Sequence, residues 1–206
     1  MALISVSNNA LSNISVLPAS SPTGALTLIK SITASASASI EFINGTNGVV
    51  LDGTYSSYVF KFIDIHPSIN IADLGVNFST DGGSNYNVTK TGTNFRAYHD
   101  EGDVEASLNY DGNFDIAQST SDHILVYALG TDNDQSASGT LQLFNPSSTT
   151  YVKHYISRFQ NYHQADFALD YLVAGYGNTT SAVNAVKFQM ASGNIDDGTI
   201  KLYGVK

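Results

Sequence analysis

Four carboxylates lie close together near the middle of the chain and are the first candidates for chemistry. Within the six positions 100–105, around Gly102, lie the four acids Asp100, Glu101, Asp103 and Glu105. General acid/base catalysis needs two carboxyls in unequal environments, so that one is protonated while the other is ionised. Acids arranged around a glycine are typical of a solvated turn, in which all of them titrate alike. We therefore predict a turn and a non-enzymatic protein, and keep a hydrolase that uses these acids only as a third hypothesis.

Metal binding is the second chemistry that the acidic residues could support. Calcium takes oxygen ligands from Asp, Asn and backbone carbonyls in loops. Four segments have that composition: DGGSN from Asp81, DGNFD from Asp111, DNDQ from Asp132, and the pair Asp196-Asp197. None has the D-x-[DN]-x-[DN]-G spacing with a closing Glu. The five histidines form no H-x-H or H-x-x-x-H pair and cysteine is absent, so we predict no metal and no other cofactor, with calcium as the open alternative.

Tyrosines beside turns are the candidates for ligand binding. The chain has 12 Tyr, and Tyr with Asn or Asp on exposed loops is what many recognition surfaces use. Tyr86 and Tyr98 flank turn signals and are the candidate ligand-binding residues, with a host-surface glycan as the ligand. The favoured alternative is that such tyrosines cover the ends of the fold or lie in subunit interfaces, where tyrosine is also enriched.

Short strands have to position these residues, because the composition argues against long helices. Charged residues make up only 13% of the chain, about half the usual share, so Ser, Thr, Asn and Gly must supply most of the polar surface. Three Glu, 17 Gly and 22 aromatic residues favour strands over helices stabilised by i,i+4 charge pairs. The sequence therefore predicts an all-β protein, an antiparallel β-sandwich with one domain over residues 31–206.

Apolar runs between turn signals predict the individual strands. The clearest is YVFKFIDI, residues 58–65, which alternates with a period of two. Asp81-Gly82-Gly83 supplies positive-φ residues for a hairpin after residues 74–79, and the last third is predicted to form a meander. Phe159, His163, Phe167 and Tyr171 recur at i+4 and would also fit a helix, but strands are preferred. The predicted strands are residues 40–43, 58–65, 74–79, 95–99, 104–110, 124–129, 140–144, 151–160, 167–175, 185–191 and 199–205.

Residues 1–30 are predicted to form an extended N-terminal docking arm. The segment is apolar but interrupted by Ser-Asn pairs and by Pro18 and Pro22. A solvated linker would be polar and poor in β-branched residues, so this segment is expected to dock on another surface. Docking on a neighbouring subunit and forming the first strands of the same domain are equally supported alternatives. The docking residues would be Ile4, Val6, Leu11, Ile14, Val16 and Leu17.

The charge of the chain disfavours several classes of partner. The formal net charge is −9, and Arg96 and Arg158 are the only arginines. A surface that follows phosphates needs clustered Lys and Arg, so nucleic acid is not expected as a partner. No apolar stretch approaches the roughly 18 residues needed to cross a bilayer, and no signal-peptide pattern is present, so membrane insertion and export are disfavoured.

Two segments resemble virion structural proteins of tailed bacteriophages, especially marine ones. AVKFQMASGNIDDGTIKLYGVK, residues 185–206, is similar to the ending of many such proteins, with a strand, an S-G-N-I turn, a Gly-Thr step and a final L-Y-G strand. GVNFSTDGGSNYNV, residues 75–88, is similar to a second segment seen in them. The two segments together cover under a fifth of the chain, and the repetitive shaft of long tail fibres is absent.

The resemblance implies a jelly-roll-like β-sandwich, a location in the virion, and no catalytic residues. The expected function is that of a homo-oligomeric structural protein, a short appendage, tail component or capsid-decoration protein, joined to other virion proteins. The alternative is a carbohydrate-binding or receptor-binding module at the tip of a phage appendage. An apolar arm fits the first function, because adding an arm to a neighbour enlarges the interface between subunits.

Overall fold

The computed structural model describes residues 26–206, which form 13 strands and no helix. Every strand pair in that range is antiparallel, so the prediction of an all-β antiparallel protein is confirmed. The strands are β1 (Thr27–Thr33), β2 (Ile40–Ile43), β3 (Ser57–Pro67), β4 (Ala72–Ser79), β5 (Lys90–Asp100), β6 (Ala106–Tyr110), β7 (Ile116–Ser119), β8 (His123–Leu129), β9 (Ala137–Phe144), β10 (Lys153–His163), β11 (Phe167–Gly177), β12 (Ala185–Met190) and β13 (Ile195–Val205).

All 13 strands belong to one hydrogen-bonded sheet. Within it they fall into two groups that are joined by a single pair of residues. The long group has the order β1-β13-β3-β9-β10-β11-β5, and β6 and β7 both pair with the far edge of β5. The short group has the order β8-β4-β12-β2. His163 at the end of β10 pairs with Leu129 at the end of β8, and this contact connects the two groups.

The two groups pack their inner faces against each other around an aromatic core. Phe188 on β12 lies with its ring centroid 5.1 Å from that of Phe60 and 4.9 Å from that of Phe62, both on β3. Phe78 on β4 similarly lies 5.2 Å from Tyr155 on β10. Edge-to-face pairs of this kind contribute about 0.5–1.5 kcal/mol each beyond the burial of their apolar area. The core therefore lies between the two groups.

Glycines opposite aromatic residues let two of the large core side chains lie across neighbouring strands. Tyr155 pairs with Gly175, and Phe159 on the same strand pairs with Gly139. A Cβ added to Gly175 would lie 2.6 Å from the Tyr155 hydroxyl, and one added to Gly139 would lie 2.6 Å from the Phe159 ring. Side chains at these two glycines would displace the aromatic rings, so the glycines are a packing requirement.

Most of the predicted strands are present, but two predicted connections are wrong. Gly82 and Gly83 have the predicted positive φ, yet β4 and β5 do not pair with each other, so the expected hairpin is absent. Only β10 and β11 of the last third form a hairpin. β12 pairs with β2 and β4, and β13 pairs with β1 and β3, so the predicted meander is wrong. The helical alternative around Phe159 is also excluded, because that segment is the β10–β11 hairpin.

The predicted docking arm lies almost wholly outside the described residues. Ile4, Val6, Leu11, Ile14, Val16 and Leu17 belong to the part that is not described. The last residues of the predicted arm are described, and Thr27–Thr33 forms β1, which pairs with β13. The first strand of the domain therefore begins four residues before the predicted domain boundary at residue 31.

Candidate functional site

Tyr86, the first predicted ligand-binding residue, is half-buried and its hydroxyl is enclosed. It lies in the loop between β4 and β5, where the Lys187 ammonium is 4.9 Å from the centre of its ring. The hydroxyl oxygen is buried and has no hydrogen-bond partner among the described residues. Burial and the nearby Glu41 carboxylate raise the pKa of this hydroxyl. A ligand would meet an enclosed hydroxyl and a ring face that faces Lys187.

Tyr98, the second predicted residue, packs against the core. It lies on β5, half-buried, with its ring centroid 5.4 Å from that of Phe167 on β11. The Arg96 guanidinium is 5.9 Å from the centre of the same ring. Tyr98 therefore lies among long-group residues, whereas Tyr86 lies beside Lys187 on a strand of the short group. The structure does not bring the two tyrosines into one site.

The four acids of residues 100–105 form the predicted turn, between β5 and β6. The Asp100 side chain accepts hydrogen bonds from the backbone amides of Glu105, at 2.7 Å, and Val104, at 2.9 Å. These bonds lower the pKa of Asp100. Asp103 has a φ of 54° and its carboxylate lies 3.3 Å from His99. These contacts stabilise the turn itself.

This turn lies at an acidic end of the molecule, where several loops meet. A depression of about 430 Å³ is lined by Asp100, Glu101 and Asp134, among others. A second depression, of about 390 Å³, shares Asp134 and adds Asp196 and Asp197. Within residues 26–206, however, no three His, Asp or Glu side chains are grouped closely enough to hold a metal ion.

The described part of the chain also contains no helix that is long and apolar enough to span a membrane.

A buried polar network surrounds Lys90, at the start of β5, and was not predicted from the sequence. Lys90 is fully buried and its ammonium donates to the side-chain oxygen of Asn77, at 2.6 Å, and to the carbonyl of Val88, at 2.9 Å. Asn77 and Gln189 each donate an amide hydrogen to the Asp122 carboxylate, at 2.8 and 2.6 Å. Burial lowers the pKa of Lys90 to about 8, and the charge of Asp122 opposes this effect.

His123 forms the second half of the network and is held as the neutral imidazole. Its Nε2 lies 2.6 Å from the side-chain oxygen of Asn94, and its Nδ1 lies 2.6 Å from the Tyr155 hydroxyl. Asn94 donates its own amide hydrogens to the carbonyl of Ile124, so its oxygen faces His123 and can only accept. Nε2 therefore carries the proton and Tyr155 donates to Nδ1. Burial, followed by the charge of Lys90, lowers the pKa of His123 to about 4.

The network is closed to a substrate. Lys90, Asn94 and His123 have no exposed surface, so a molecule in solution cannot contact them. Their hydrogen bonds instead connect β4, β5, β8 and β10. A fully hydrogen-bonded buried network of this kind favours one register over others, because any shift would leave polar groups without partners.

A shallow groove on the outside of the molecule is a better candidate for ligand binding. Two adjoining depressions, of about 480 and 460 Å³, share His154 on β10. Tyr151, which is 70% exposed, lies in one of them, and Tyr176 lies in the other with its ring centroid 6.4 Å from that of His154. No Asp, Glu, Lys or Arg lines either depression, and the remaining polar side chains are Thr91, Thr93, Asn145, Ser148, Thr150 and Thr180.

This groove combines the features that suit an uncharged, hydroxyl-rich ligand. Exposed aromatic rings offer apolar faces, and hydroxyl and amide side chains offer hydrogen bonds in both directions. None of Tyr151, His154 and Tyr176 was predicted from the sequence as a ligand-binding residue. The exposure of His154 could have been predicted from the alternation of residues 153–163. The position of the loop that brings Tyr151 close to His154 depends on tertiary structure and could not.

Comparison of the chain with protein-family models, with curated proteins and with solved structures gives no match.

Proposed function

We propose that this protein is a non-enzymatic structural protein of a tailed-phage virion, built into the capsid or tail as a homo-oligomer and joined to other virion proteins through residues 1–30. The proposal starts from the resemblance of residues 75–88 and 185–206 to such proteins. The observation that carries it is the strand order, which fits a fold that virion proteins commonly use.

The strand order supports the reading of the fold as a jelly-roll sandwich. Eight strands, β1, β2, β3, β4, β8, β9, β12 and β13, form two four-stranded orders, β1-β13-β3-β9 and β2-β12-β4-β8. If these eight are numbered in chain order, the first group reads 1-8-3-6 and the second reads 2-7-4-5. Pairing of the first strand with the last, and of the second with the last but one, is the double Greek key of a jelly roll, an architecture found in viral capsid and lectin domains.

On this reading, the other five strands are two insertions that widen one sheet. β5, β6 and β7 are inserted between the fourth and fifth jelly-roll strands, and the β10–β11 hairpin is inserted between the sixth and seventh. Both insertions extend the first sheet beyond β9. Such an extension adds outer surface without changing the core, and additional surface is what a subunit of an assembly needs for contacts with neighbours.

The location in the virion is tested by analysis of purified particles. An antibody against the recombinant protein should label density-gradient-purified particles of the phage that encodes this chain, and mass spectrometry of the same particles should detect it at structural copy number. If the protein is abundant in lysed host cells but absent from the purified particles, the proposal is wrong.

The role of residues 1–30 is tested by two variants of the same length. In the first, Ile4, Val6, Leu11, Ile14, Val16 and Leu17 are replaced by Ser. In the matched control, six polar residues of the segment, Ser5, Ser7, Asn8, Asn9, Ser12 and Asn13, are exchanged among Ser, Asn and Thr. We expect the first variant to fold but to be missing from particles, and the control to be incorporated. Normal incorporation of the first variant would refute the anchoring role.

A carbohydrate-binding module at the tip of a phage appendage is the second candidate function. The groove around Tyr151, His154 and Tyr176 favours it, because a lining without carboxylates or Lys and Arg suits a neutral glycan better than a charged ligand. A glycan array should then show binding that is lost in Tyr151→Ala and Tyr176→Ala and kept in Tyr203→Ala, a tyrosine on β13. An array without signal, or binding that survives both groove substitutions, would exclude this site.

A further inference from the structure

Five large apolar side chains are exposed together on one face of the long group. They are Phe95 on β5, Leu108 and Tyr110 on β6, Ile156 on β10 and Leu172 on β11, with exposed fractions of 45%, 74%, 49%, 55% and 37%. Exposed apolar residues are normal when they are scattered singly, but a contiguous set marks a surface that binds something. We call this set the outer apolar face.

The strand register shows that these side chains form one continuous patch. Leu172 pairs with Phe95, and Phe95 pairs with Tyr110, so three of the five lie side by side across β11, β5 and β6. Directly paired residues of antiparallel strands point to the same side of a sheet. The rings of Phe95 and Tyr110 accordingly meet edge to face, with centroids 5.3 Å apart.

The neighbouring rows of the same face complete the patch. Leu108 pairs with Ala97 in the next row, and Ile156 pairs with Ala174 in the row on the other side. The alternate residues of β10 and β11, such as Phe159 and Tyr171, are buried on the opposite side in the core. The outer apolar face therefore belongs to the two insertions and not to the eight jelly-roll strands.

The centre of the patch carries no net charge although the chain is strongly acidic. The formal net charge of the chain is −9, but Arg158 and Asp170 within the patch pair with each other, and Asp115, which accepts a hydrogen bond from the Tyr110 hydroxyl, lies at the edge of the patch. Arg158 donates from Nε at 2.9 Å and from Nη2 at 2.6 Å to the two carboxylate oxygens of Asp170. A surface that meets a copy of itself must not carry net charge, because like charges would then face each other. A basic partner would be drawn instead to the acidic end.

The size of the face matches what a stable contact between two copies needs. β10, β11 and β5 are each 11 residues long and β6 adds a shorter fourth strand. With strands about 4.8 Å apart and a rise of about 3.3 Å per residue, the whole outer side of these four strands, with the outer apolar face at its centre, covers roughly 600 Å² per copy. Two such faces clear the roughly 1,000 Å² of total buried surface expected for a specific protein interface.

We propose that the outer apolar face, on strands β5, β6, β10 and β11, is the surface through which two copies of this chain associate. The inference rests on the proposed homo-oligomeric assembly and identifies the surface through which its subunits contact each other. The physical reason is that an apolar sheet face without net charge at its centre is complementary to itself. When two copies associate, each copy buries its exposed apolar side chains, so apolar area of both copies is removed from water.

The test compares the mass of three versions of the full-length protein by size-exclusion chromatography with light scattering. Leu108→Glu combined with Leu172→Glu places two carboxylates in the patch, and Ile69→Glu places one carboxylate at an isoleucine that is 41% exposed elsewhere. We expect the wild type and Ile69→Glu to form dimers or larger species, and the double variant to be monomeric with an unchanged circular dichroism spectrum. If the double variant is still oligomeric, the proposed surface is wrong, but the proposal that the protein forms a homo-oligomer stands.

The absence of cysteine from the chain allows a second test that does not require the interface to be broken. Leu108→Cys and Ile69→Cys each introduce a single thiol, and their reaction with a maleimide is followed at high and low protein concentration. We expect Leu108→Cys to be protected at least tenfold at high concentration, and Ile69→Cys to react equally at both. Equal reactivity of Leu108→Cys would refute the surface. A wild type that stays monomeric at high concentration would overturn both the surface and the oligomeric assembly.

Discussion

Acidification should destabilise the protein through His123, and the size of the effect follows from its burial. In the folded state the pKa of His123 is lowered to about 4 from an ordinary value of 6.5. Between these two pH values the unfolded chain binds a proton at this residue and the folded chain does not, so stability falls as the pH falls. A change from 6.5 to about 4, at roughly 1.4 kcal/mol per pKa unit, amounts to about 3 kcal/mol once the pH is well below 4.

Most of this loss should be measurable before the carboxylates are extensively protonated. Between pH 7 and pH 4.5 the same two pKa values give a loss of about 2 kcal/mol from His123 alone. The assay is urea unfolding followed by far-ultraviolet circular dichroism at pH 7, 6, 5 and 4.5. His163, whose pKa burial also lowers, contributes in the same direction. A variant is therefore needed to isolate the contribution of His123.

His123→Gln supplies that comparison, because an amide can hydrogen-bond to Asn94 or Tyr155 but does not titrate in this range. The variant should be less stable than the wild type at pH 7 by about 1–3 kcal/mol, because one polar group of the network loses its partner. Its stability should then fall less steeply with acid, so that the stability of the wild type relative to the variant falls by about 2 kcal/mol between pH 7 and pH 4.5. Parallel curves for the two proteins would refute the account of a buried, neutral His123.

Three further predictions concern single substitutions measured by urea unfolding. Lys90 has a pKa of about 8 in the folded protein and 10.5 in the unfolded chain. The free energy of unfolding of the wild type should therefore rise as the pH rises from 8 to 10.5, and Lys90→Met should lack this rise. Equal slopes of unfolding free energy against pH for the two proteins would contradict the prediction. Gly175→Ala should cost about 1–3 kcal/mol, because the new methyl group would lie 2.6 Å from the Tyr155 hydroxyl, whereas Gly53→Ala, which meets nothing nearer than 3.7 Å, should cost little. Tyr86→Phe should leave stability unchanged or raise it by up to about 1 kcal/mol, because the lost hydroxyl is buried without a partner; a loss above 1 kcal/mol would show that it is satisfied.

The strands could be predicted from the sequence where one face of each is buried. Residues 153–163 alternate between buried and exposed without interruption, and the predicted range 151–160 found most of this strand. β1 was not assigned as a separate strand, although first strands formed by residues 1–30 were one of the two equally supported alternatives; its side chains are all half-buried or exposed, which leaves no clear alternation. β7, with four residues and two exposed in its centre, was missed for the same reason.

The pairing of the strands could not be predicted, because it depends on residues far apart in the chain. β12 pairs with β2 across more than 140 positions, for example Phe188 with Ile40. Local alternation carries no information on such partners. A turn signal such as Asp81-Gly82-Gly83 indicates only that the chain bends. Here the chain continues into β5, which pairs with β6, β7 and β11 and not with β4.

The surroundings of Tyr86 could not be predicted for the same reason. Tyr86 follows a glycine-rich turn, which predicted partial exposure, and the residue is half-buried. Its neighbours Lys187 and Glu41 lie on strands that are distant in sequence. The buried network left a weak signal, since His123 directly precedes the apolar run of residues 124–129. A histidine at the start of a doubly buried strand can be recognised as buried, but its partners on β5 and β10 cannot.

On the proposed jelly-roll interpretation, the position of the polar network explains how the framework strands and the two insertions keep one unique register. Asn94 is contributed by the first insertion and Tyr155 by the second, and both bind His123 on a framework strand. Apolar packing alone would tolerate sliding of the added strands, because many apolar contacts are interchangeable. Asn94, His123 and Tyr155 must each find a buried hydrogen-bond partner, and only one arrangement of the strands supplies all three. Gly92, on β5, has no side chain and leaves the space in which the His123 ring lies. The same arrangement fixes Phe95 and Leu172 beside each other on the outer side, so the register set in the interior also determines the shape of the outer apolar face.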